Sequence, residues 1–133
     1  MTPVRHQVSG QALQFALQEE IGTVKRELTG TTTRSARTLV KEGPLRVTLV
    51  GVNPGGELRP HKADGPITLQ VLEGQIHFEA EGQRWTLSAG TLFALDAGIT
   101  HSVQSPNGGI FLLTVVAVSG GSAADVSKDA TTR

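Results

Sequence analysis

Apolar residues near the start of this 133-residue chain recur at helical spacing. They fall at steps of four, four, three and four residues, at Leu13, Leu17, Ile21, Val24 and Leu28. This period places them on one face of an amphipathic helix. Ser9 is of the residue type preferred at a helix N-cap. Gly22 predicts a break or shortening, because glycine costs about 1 kcal/mol relative to alanine inside a helix.

Beyond residue 42 the pattern changes to short alternating stretches separated by glycine. Eight glycines lie eight to twelve residues apart, at positions 43, 55, 65, 74, 82, 90, 98 and 108. Between them apolar and polar residues alternate, as in the stretch from Arg84 to Leu87. This spacing is typical of a sandwich or barrel of short antiparallel strands. The dipeptide Asn107-Gly108 favours a hairpin turn.

These changes divide the chain into three parts. We predict an N-terminal helical arm over residues 1–32, a β-barrel over residues 33–118 and a flexible tail over residues 119–133. The tail contains one large aliphatic residue, Val126, among small and polar ones. It therefore buries too little apolar surface to offset the entropy of ordering it.

Composition and charge narrow the classes of function. Twelve basic residues balance twelve acidic ones, so no net field attracts nucleic acid or anionic lipid. The absence of cysteine excludes disulfides, thiolate catalysis and iron–sulfur clusters. Residues 1–10 contain no apolar stretch of the secretory type, so we expect no leader, and no apolar run is long enough to span a membrane. We expect a cytoplasmic protein without nucleic-acid or membrane partners.

Two spaced sets of glycine, histidine and other residues lie in the second half of the chain. The first consists of Gly55, His61, Ala63, Ile67 and Gly74. The second consists of Gly90, Asp96, Gly98, His101 and Ser105. Their spacing resembles the two motifs of the cupins, and the resemblance covers residues 43–118 and is to small, RmlC-like, single-domain members. It implies an all-β double-stranded β-helix, that is, a cupin or jelly-roll barrel, which follows the short N-terminal helix. The resemblance also implies a pocket inside the barrel and, as is usual in the family, a homodimeric assembly.

The resemblance also bears on metal binding. Metal-binding cupins take two His and a Glu from the first motif and a third His from the second. The matching positions here are His61, Ala63, Ile67 and His101. Ala63 and Ile67 offer no lone pair, so iron, manganese, nickel or zinc would need a third donor besides the two His. If the strand is continuous, alternation places Glu57 on the face of His61 and makes it the nearest third ligand.

The predicted ligand pocket combines imidazoles with apolar side chains. It is lined by Arg59, His61, Ala63, Ile67, Leu69, His101 and Val103. Such a pocket suits a small, partly apolar molecule with one or two polar groups, and the alternative is a filled barrel core. An inward-facing Arg59 would need Glu57 or an anionic ligand as its partner. His77 alternates with Gln75 and Glu79 and is expected on a solvated face.

Three functions follow from these observations. The first is a cupin that binds a small molecule in the barrel, with at most a reduced metal site. The second is a metal-dependent enzyme, an oxygenase or isomerase, that uses His61, His101 and a nonstandard third ligand. The third is a non-catalytic dimeric structural or sensor module. The motifs support the fold without choosing among these functions.

Overall fold

The computed structural model describes residues 7–118 and places one helix ahead of eight strands in that range. The helix is α1 (Leu17–Glu27). The strands are β1 (Arg34–Glu42), β2 (Leu45–Val52), β3 (Gly56–His61), β4 (Ile67–Ala80), β5 (Gln83–Ser88), β6 (Leu92–Leu95), β7 (His101–Ser105) and β8 (Gly109–Val116). The predicted all-β class with a short N-terminal helix is confirmed. The predicted tail, residues 119–133, lies outside the described residues.

The strands form two antiparallel sheets that share the long strand β4. Sheet A consists of β1, β2, β8, the first half of β4 and β6. Sheet B consists of β3, β7, the second half of β4 and β5. β4 passes from one sheet to the other around Gly74, just after a bulge between Val71 and Glu73. The two sheets therefore curl around one interior.

That interior is filled by apolar side chains from alternate positions of the strands. Val50, Val71, Ile76, Phe78 and Phe111 are essentially inaccessible to solvent. They belong to one continuous cluster with residues of both sheets. The alternation follows from the period of two along a strand, which sends every second side chain inward.

Helix α1 packs on the outer face of sheet A and forms a second, smaller core. Ile21 and Val24 are buried against Leu39, Leu49 and Ile110. β2 is consequently buried on both faces over its second half. Gly51 of β2 permits this packing, because a Cβ at that position would lie 2.5 Å from Val24 Cγ1.

The start of the helix differs from the sequence prediction. α1 begins at Leu17 with Ala16 as its N-cap, and no side chain caps it, so the predicted cap at Ser9 is wrong. The residues before it lie along the end of β1 instead, where Val8 O accepts a hydrogen bond from Lys41 N. Gly22 lies inside the helix without breaking it. At the predicted cap, Ser9, and at Gly22, tertiary contacts outweigh the local helix propensity of the residue.

The Asn107-Gly108 prediction is also corrected. The dipeptide connects β7 to β8, but among the described strand pairs β7 joins β3 and β4 whereas β8 joins β2 and β4. It therefore forms a corner between the two sheets, with Gly108 at a φ of 89°. No helix within residues 7–118 is both long enough and apolar enough to cross a membrane. The cytoplasmic location and the domain boundaries stay predictions.

Candidate functional site

A bulge in β3 brings His61 into the interior of the barrel. Leu58 pairs with Val103 and His61 pairs with His101, so β3 has one residue more than β7 between the two pairs. The extra residue reverses the alternation, and Leu58 and His61 both line the same interior space. The continuous strand on which the placement of Glu57 beside His61 depended is therefore not present.

The same bulge turns the two charged neighbours of His61 outward. Glu57 and Arg59 are both exposed. Glu57 therefore lies on the opposite face from His61, and its predicted place as third metal ligand is wrong. Arg59 does not share the inward face either, so the prediction that placed it in the pocket lining is wrong and its side chain needs no buried anionic partner.

The two motif histidines lie against each other at the end of β3 and the start of β7. Their ring centroids are 4.4 Å apart and the ring planes meet at 61°. His101 is buried, whereas His61 is half-buried. Phe78 of β4 stacks on the His101 ring with a centroid distance of 5.2 Å and an angle of 12°. The resemblance to the cupin motifs thus predicted a pair that the fold does bring together.

Both imidazoles are held by the same kind of backbone hydrogen bond. His61 Nδ1 donates to Arg59 O at 2.7 Å, and His101 Nδ1 donates to Ile99 O at 2.9 Å. Because a carbonyl oxygen only accepts, each Nδ1 carries the hydrogen, and in the neutral ring each Nε2 carries the lone pair. With the hydrogen on Nδ1, Nε2 is the ring atom that can accept a hydrogen bond or ligate a metal.

The interior space beside the pair is almost filled. Its volume is about 10 Å³, at the lower limit of what one water molecule occupies. It is lined by Leu58, His61, Ile67, Leu69, Phe78, His101, Val103, Phe111 and Leu113. No organic molecule enters this space without displacing side chains. The filled-core alternative of the sequence analysis describes the interior in this structure.

Most of the sequence-predicted pocket residues do lie together. His61, Ile67, Leu69, His101 and Val103 line one space. Ala63 is buried in the same core, and its carbonyl accepts a hydrogen bond from Gly98 N. Arg59 lies outside this group.

A larger groove at the rim of the barrel was not predicted from the sequence. It has a volume of about 330 Å³ and is lined by Pro60, residues 79–84, Thr100, His101 and Ser102. His101 belongs to the lining of both this rim groove and the filled interior. Gly82 predicted the turn that connects β4 to β5. The position of that turn beside His101, however, depends on the pairing of β4 with β7.

The rim groove has both polar and apolar lining and carries more acid than base. Glu79 pairs with Arg84, whose Nε lies 2.7 Å from Glu79 Oε2. Arg84 also donates to Gln104 Oε1 at 3.3 Å. Glu81 adds a second carboxylate, so the charged lining residues sum to one net negative charge.

The donor set at the histidine pair does not fit a three-ligand catalytic metal centre. The pair supplies two imidazole nitrogens, Ala63 and Ile67 supply nothing, and Glu57 lies on the outer face. Within residues 7–118 no group of three or more His, Cys, Asp or Glu side chains is arranged to hold a metal ion. Catalytic sites for zinc and similar metals keep three protein ligands and an open position.

His77 lies on the outer face of sheet B, as the alternation predicted. It pairs with Gln104 of β7 and Thr86 of β5, and it is partly exposed. Its neighbours in β4, Ile76 and Phe78, point into the core. The side chain of His77 therefore lies on the opposite face of sheet B from the His61–His101 pair. His77 serves as a matched control for that pair.

Comparisons with known proteins concern both the sequence and the fold. The sequence model of a family described as "Cupin domain" matches residues 48–116. No curated protein matches the chain. Among solved structures, a conserved protein of unknown function from Streptococcus pyogenes is similar, with 20% identity over 90% of this chain and 98% of the other, at a TM-score of 0.65.

Two further solved structures share the fold. An RmlC-like cupin from Shewanella frigidimarina is 22% identical over 67% of this chain and 80% of the other, at a TM-score of 0.62. A salicylate 1,2-dioxygenase mutant from Pseudoaminobacter salicylatoxidans is 16% identical at a TM-score of 0.69, and the match covers 77% of this chain but 34% of the dioxygenase. These similarities establish the fold and leave the function to be argued from the site.

Proposed function

Because this chain belongs to the cupin domain family, we propose that it binds a small molecule in the rim groove, with His101 as the residue that recognises it. The observation that carries the proposal is a groove of about 330 Å³ that has His101 in its lining and lies beside a filled core. Ligand pockets measure roughly 300 to 1,000 Å³. The groove meets that range and the interior does not.

The tautomer of the pair indicates which polar group the ligand carries. The Nδ1 bond to Ile99 O fixes the lone pair of neutral His101 on Nε2. That atom accepts a hydrogen bond from an O–H or N–H group. The net negative charge of the groove disfavours a carboxylate or phosphate by like-charge repulsion. A phenol, alcohol or amine with a small apolar body donates such a hydrogen bond and carries no negative charge.

The test is a ligand titration of the full chain followed by two-dimensional amide NMR. We expect phenols and small amines to shift amide signals of residues 79–84 and 100–102, and matched carboxylates to leave them in place. His101→Asn removes the imidazole and is expected to weaken binding at least tenfold. His77→Asn makes the same change on the outer face of sheet B and is expected to leave affinity unchanged.

Two results would overturn this function. One is a phenol and amine series that shifts no rim signal. The other is equal loss of affinity in His77→Asn and His101→Asn, which would place binding elsewhere or indicate a general structural effect. Thermal unfolding of each variant separates loss of binding from loss of the fold.

A second candidate function is reversible metal binding by the His61–His101 pair. The two Nδ1–carbonyl hydrogen bonds favour it, because histidines that ligate metals commonly donate their other nitrogen to a carbonyl or carboxylate. With two protein donors the site would hold zinc or nickel weakly and exchange it freely. The salicylate 1,2-dioxygenase neighbour, at 16% identity, supports the shared fold and not this activity.

Zinc titration measured by calorimetry tests this candidate. The expected result is one weak site in the wild-type chain, full removal of zinc by a chelator, and no binding by either His61→Ala or His101→Ala. Zinc affinity that survives both substitutions would contradict it. Stoichiometric metal that resists the chelator would require a third protein ligand and would support the enzyme hypothesis instead.

A further inference from the structure

The two asparagines of this chain differ in the residue that follows them. Asn107 precedes Gly108, whereas Asn53 precedes Pro54. An asparagine side chain loses ammonia when the backbone nitrogen of the next residue attacks its Cγ and closes a five-membered succinimide ring. That nitrogen must have a hydrogen to give up, which Gly108 has and Pro54 lacks. Of the two asparagines, only Asn107 can therefore react in this way.

The structure leaves Asn107 accessible and its side chain unrestrained. Asn107 is exposed, and among residues 7–118 its amide has no hydrogen-bond partner. The attacking atom, Gly108 N, donates a hydrogen bond to Ser105 O at 3.3 Å, which is longer than usual for this type of bond. Asn53 is half-buried instead, and its Nδ2 donates to Thr32 O at 2.6 Å.

The fold requires glycine at the position that makes Asn107 reactive. Gly108 has a φ of 89°, in the left-handed region that residues with a Cβ rarely adopt. A Cβ there would also lie 3.3 Å from Pro54 Cδ and 3.4 Å from Val52 O. Glycine has no side chain to hinder the approach of its own nitrogen to the preceding Cγ. The corner between the two sheets therefore joins an exposed asparagine to the least hindered residue that can follow it.

We propose that Asn107 is a site of spontaneous deamidation. Gly108 N loses its proton and bonds to Asn107 Cγ, the Cγ–Nδ2 bond breaks, and Nδ2 takes up a proton and leaves as ammonia. Water then opens the succinimide ring at one of its two carbonyl carbons. Attack at Cγ gives aspartate. Attack at the main-chain carbonyl gives isoaspartate, in which the main chain runs through Cβ and Cγ.

Isoaspartate is expected to weaken the barrel at this corner. It adds one main-chain atom directly before Gly108, whose carbonyl oxygen accepts a hydrogen bond from Gln75 N. The same oxygen lies so close to Gly74 that a Cβ on Gly74 would be 2.3 Å from it. The corner therefore has little room for a longer main chain, and the contacts of Gly108 with β4 are expected to loosen.

Both products also add a carboxylate to a groove beside the corner. This groove has a volume of about 270 Å³, and Asn107, Lys25 and Glu73 belong to its lining. Lys25 Nζ already lies 2.7 Å from Glu73 Oε1. Because the lysine is paired, the new carboxylate gains no unpaired cation in this groove. The aspartate product is therefore expected to gain no stability from its charge.

Ageing of the full chain, followed by mass spectrometry of its peptides, tests the proposal. We expect the mass gain of an amide converted to an acid at Asn107, with aspartate and isoaspartate told apart by electron-transfer fragmentation. The rate is expected to be at least tenfold higher at pH 8 than at pH 6, because the attacking nitrogen must lose its proton. Asn53 is the internal control and is expected to keep its mass. Asn107→Gln, which would have to close a six-membered ring, is expected to stay unmodified over the same time.

Urea denaturation tests the effect on the corner. Asn107→Asp carries the aspartate product without the longer main chain, and the isoaspartate fraction of aged wild type is expected to unfold at a lower urea concentration than this variant. Aged wild type without a mass gain at Asn107 would overturn the proposal. Equal gains at Asn53 and Asn107 would overturn it too, because ring closure would then not be the route. An isoaspartate fraction as stable as Asn107→Asp would contradict the expected loosening of the corner.

Discussion

Replacing Gly74 with alanine is expected to remove several kcal/mol of stability. Gly74 lies where β4 leaves sheet A for sheet B, at a φ of 74° that residues with a Cβ rarely adopt. A Cβ there would lie 2.3 Å from the carbonyl oxygen of Gly108 and 2.8 Å from Gly109 Cα. Both are backbone atoms, so relief requires the corner between β7 and β8 to move. Strain and overpacking together are worth about 3 to 5 kcal/mol.

Urea denaturation of Gly74→Ala measures this loss, and Gly82→Ala is its control. Gly82 has a φ of 77°, but a Cβ there would meet no atom within 4 Å. Gly82→Ala therefore carries only the conformational strain and is expected to cost about 1 to 2 kcal/mol. Equal losses in the two variants would show that the contact with Gly108 contributes nothing. Since typical domains are stable by about 5 to 15 kcal/mol, Gly74→Ala is expected to leave a marginal fold.

Truncating Phe78 to alanine is expected to cost about 3 to 5 kcal/mol and to release the His101 ring. Phe78 is completely buried, stacks on His101 at 5.2 Å and packs on Phe93 at 4.7 Å. Its removal leaves a cavity in a barrel whose free interior volume is only about 10 Å³. The neighbouring imidazole then loses the surface that holds its plane.

Two measurements check the Phe78→Ala prediction. Urea denaturation gives the free energy of unfolding, and the NMR signals of the His101 ring report its orientation. Phe93→Ala is the control, because Phe93 is partly exposed and its truncation is expected to cost less than half as much. A Phe78→Ala variant with stability within about 1 kcal/mol of the wild type, or with unshifted His101 signals, would contradict this account.

The sequence predicted the fold and the histidine pair from two kinds of signal. Regular glycine spacing indicated the strands, and the two motifs placed His61 beside His101 once the cupin resemblance was recognised. The bulge in β3 could not be predicted, because it depends on how Leu58 and His61 pair with a strand some forty residues later. Strand parity alone therefore placed Glu57 and Arg59 on the wrong face.

The other differences between the sequence predictions and the structure have similar causes. The helix start was misplaced because the residues before Leu17 are held by the end of β1, a contact that periodicity does not register. The filled interior could not be predicted, since free volume depends on how side chains from four strands fit together. The rim groove required the placement of the β4–β5 turn beside the start of β7.

The single strand shared by both sheets determines how this barrel opens. β4 bonds to four other strands, and no pair of strands joins sheet A to sheet B without it in the described pairings. Fluctuations at the edges, in β1, β3, β5 or β6, expose amides locally, but the amides of β4 are released only when both sheets come apart. Native-state hydrogen exchange should therefore find its slowest protons in β4, at a free energy equal to that of global unfolding. The barrel is one cooperative unit, with β4 as the last element to exchange.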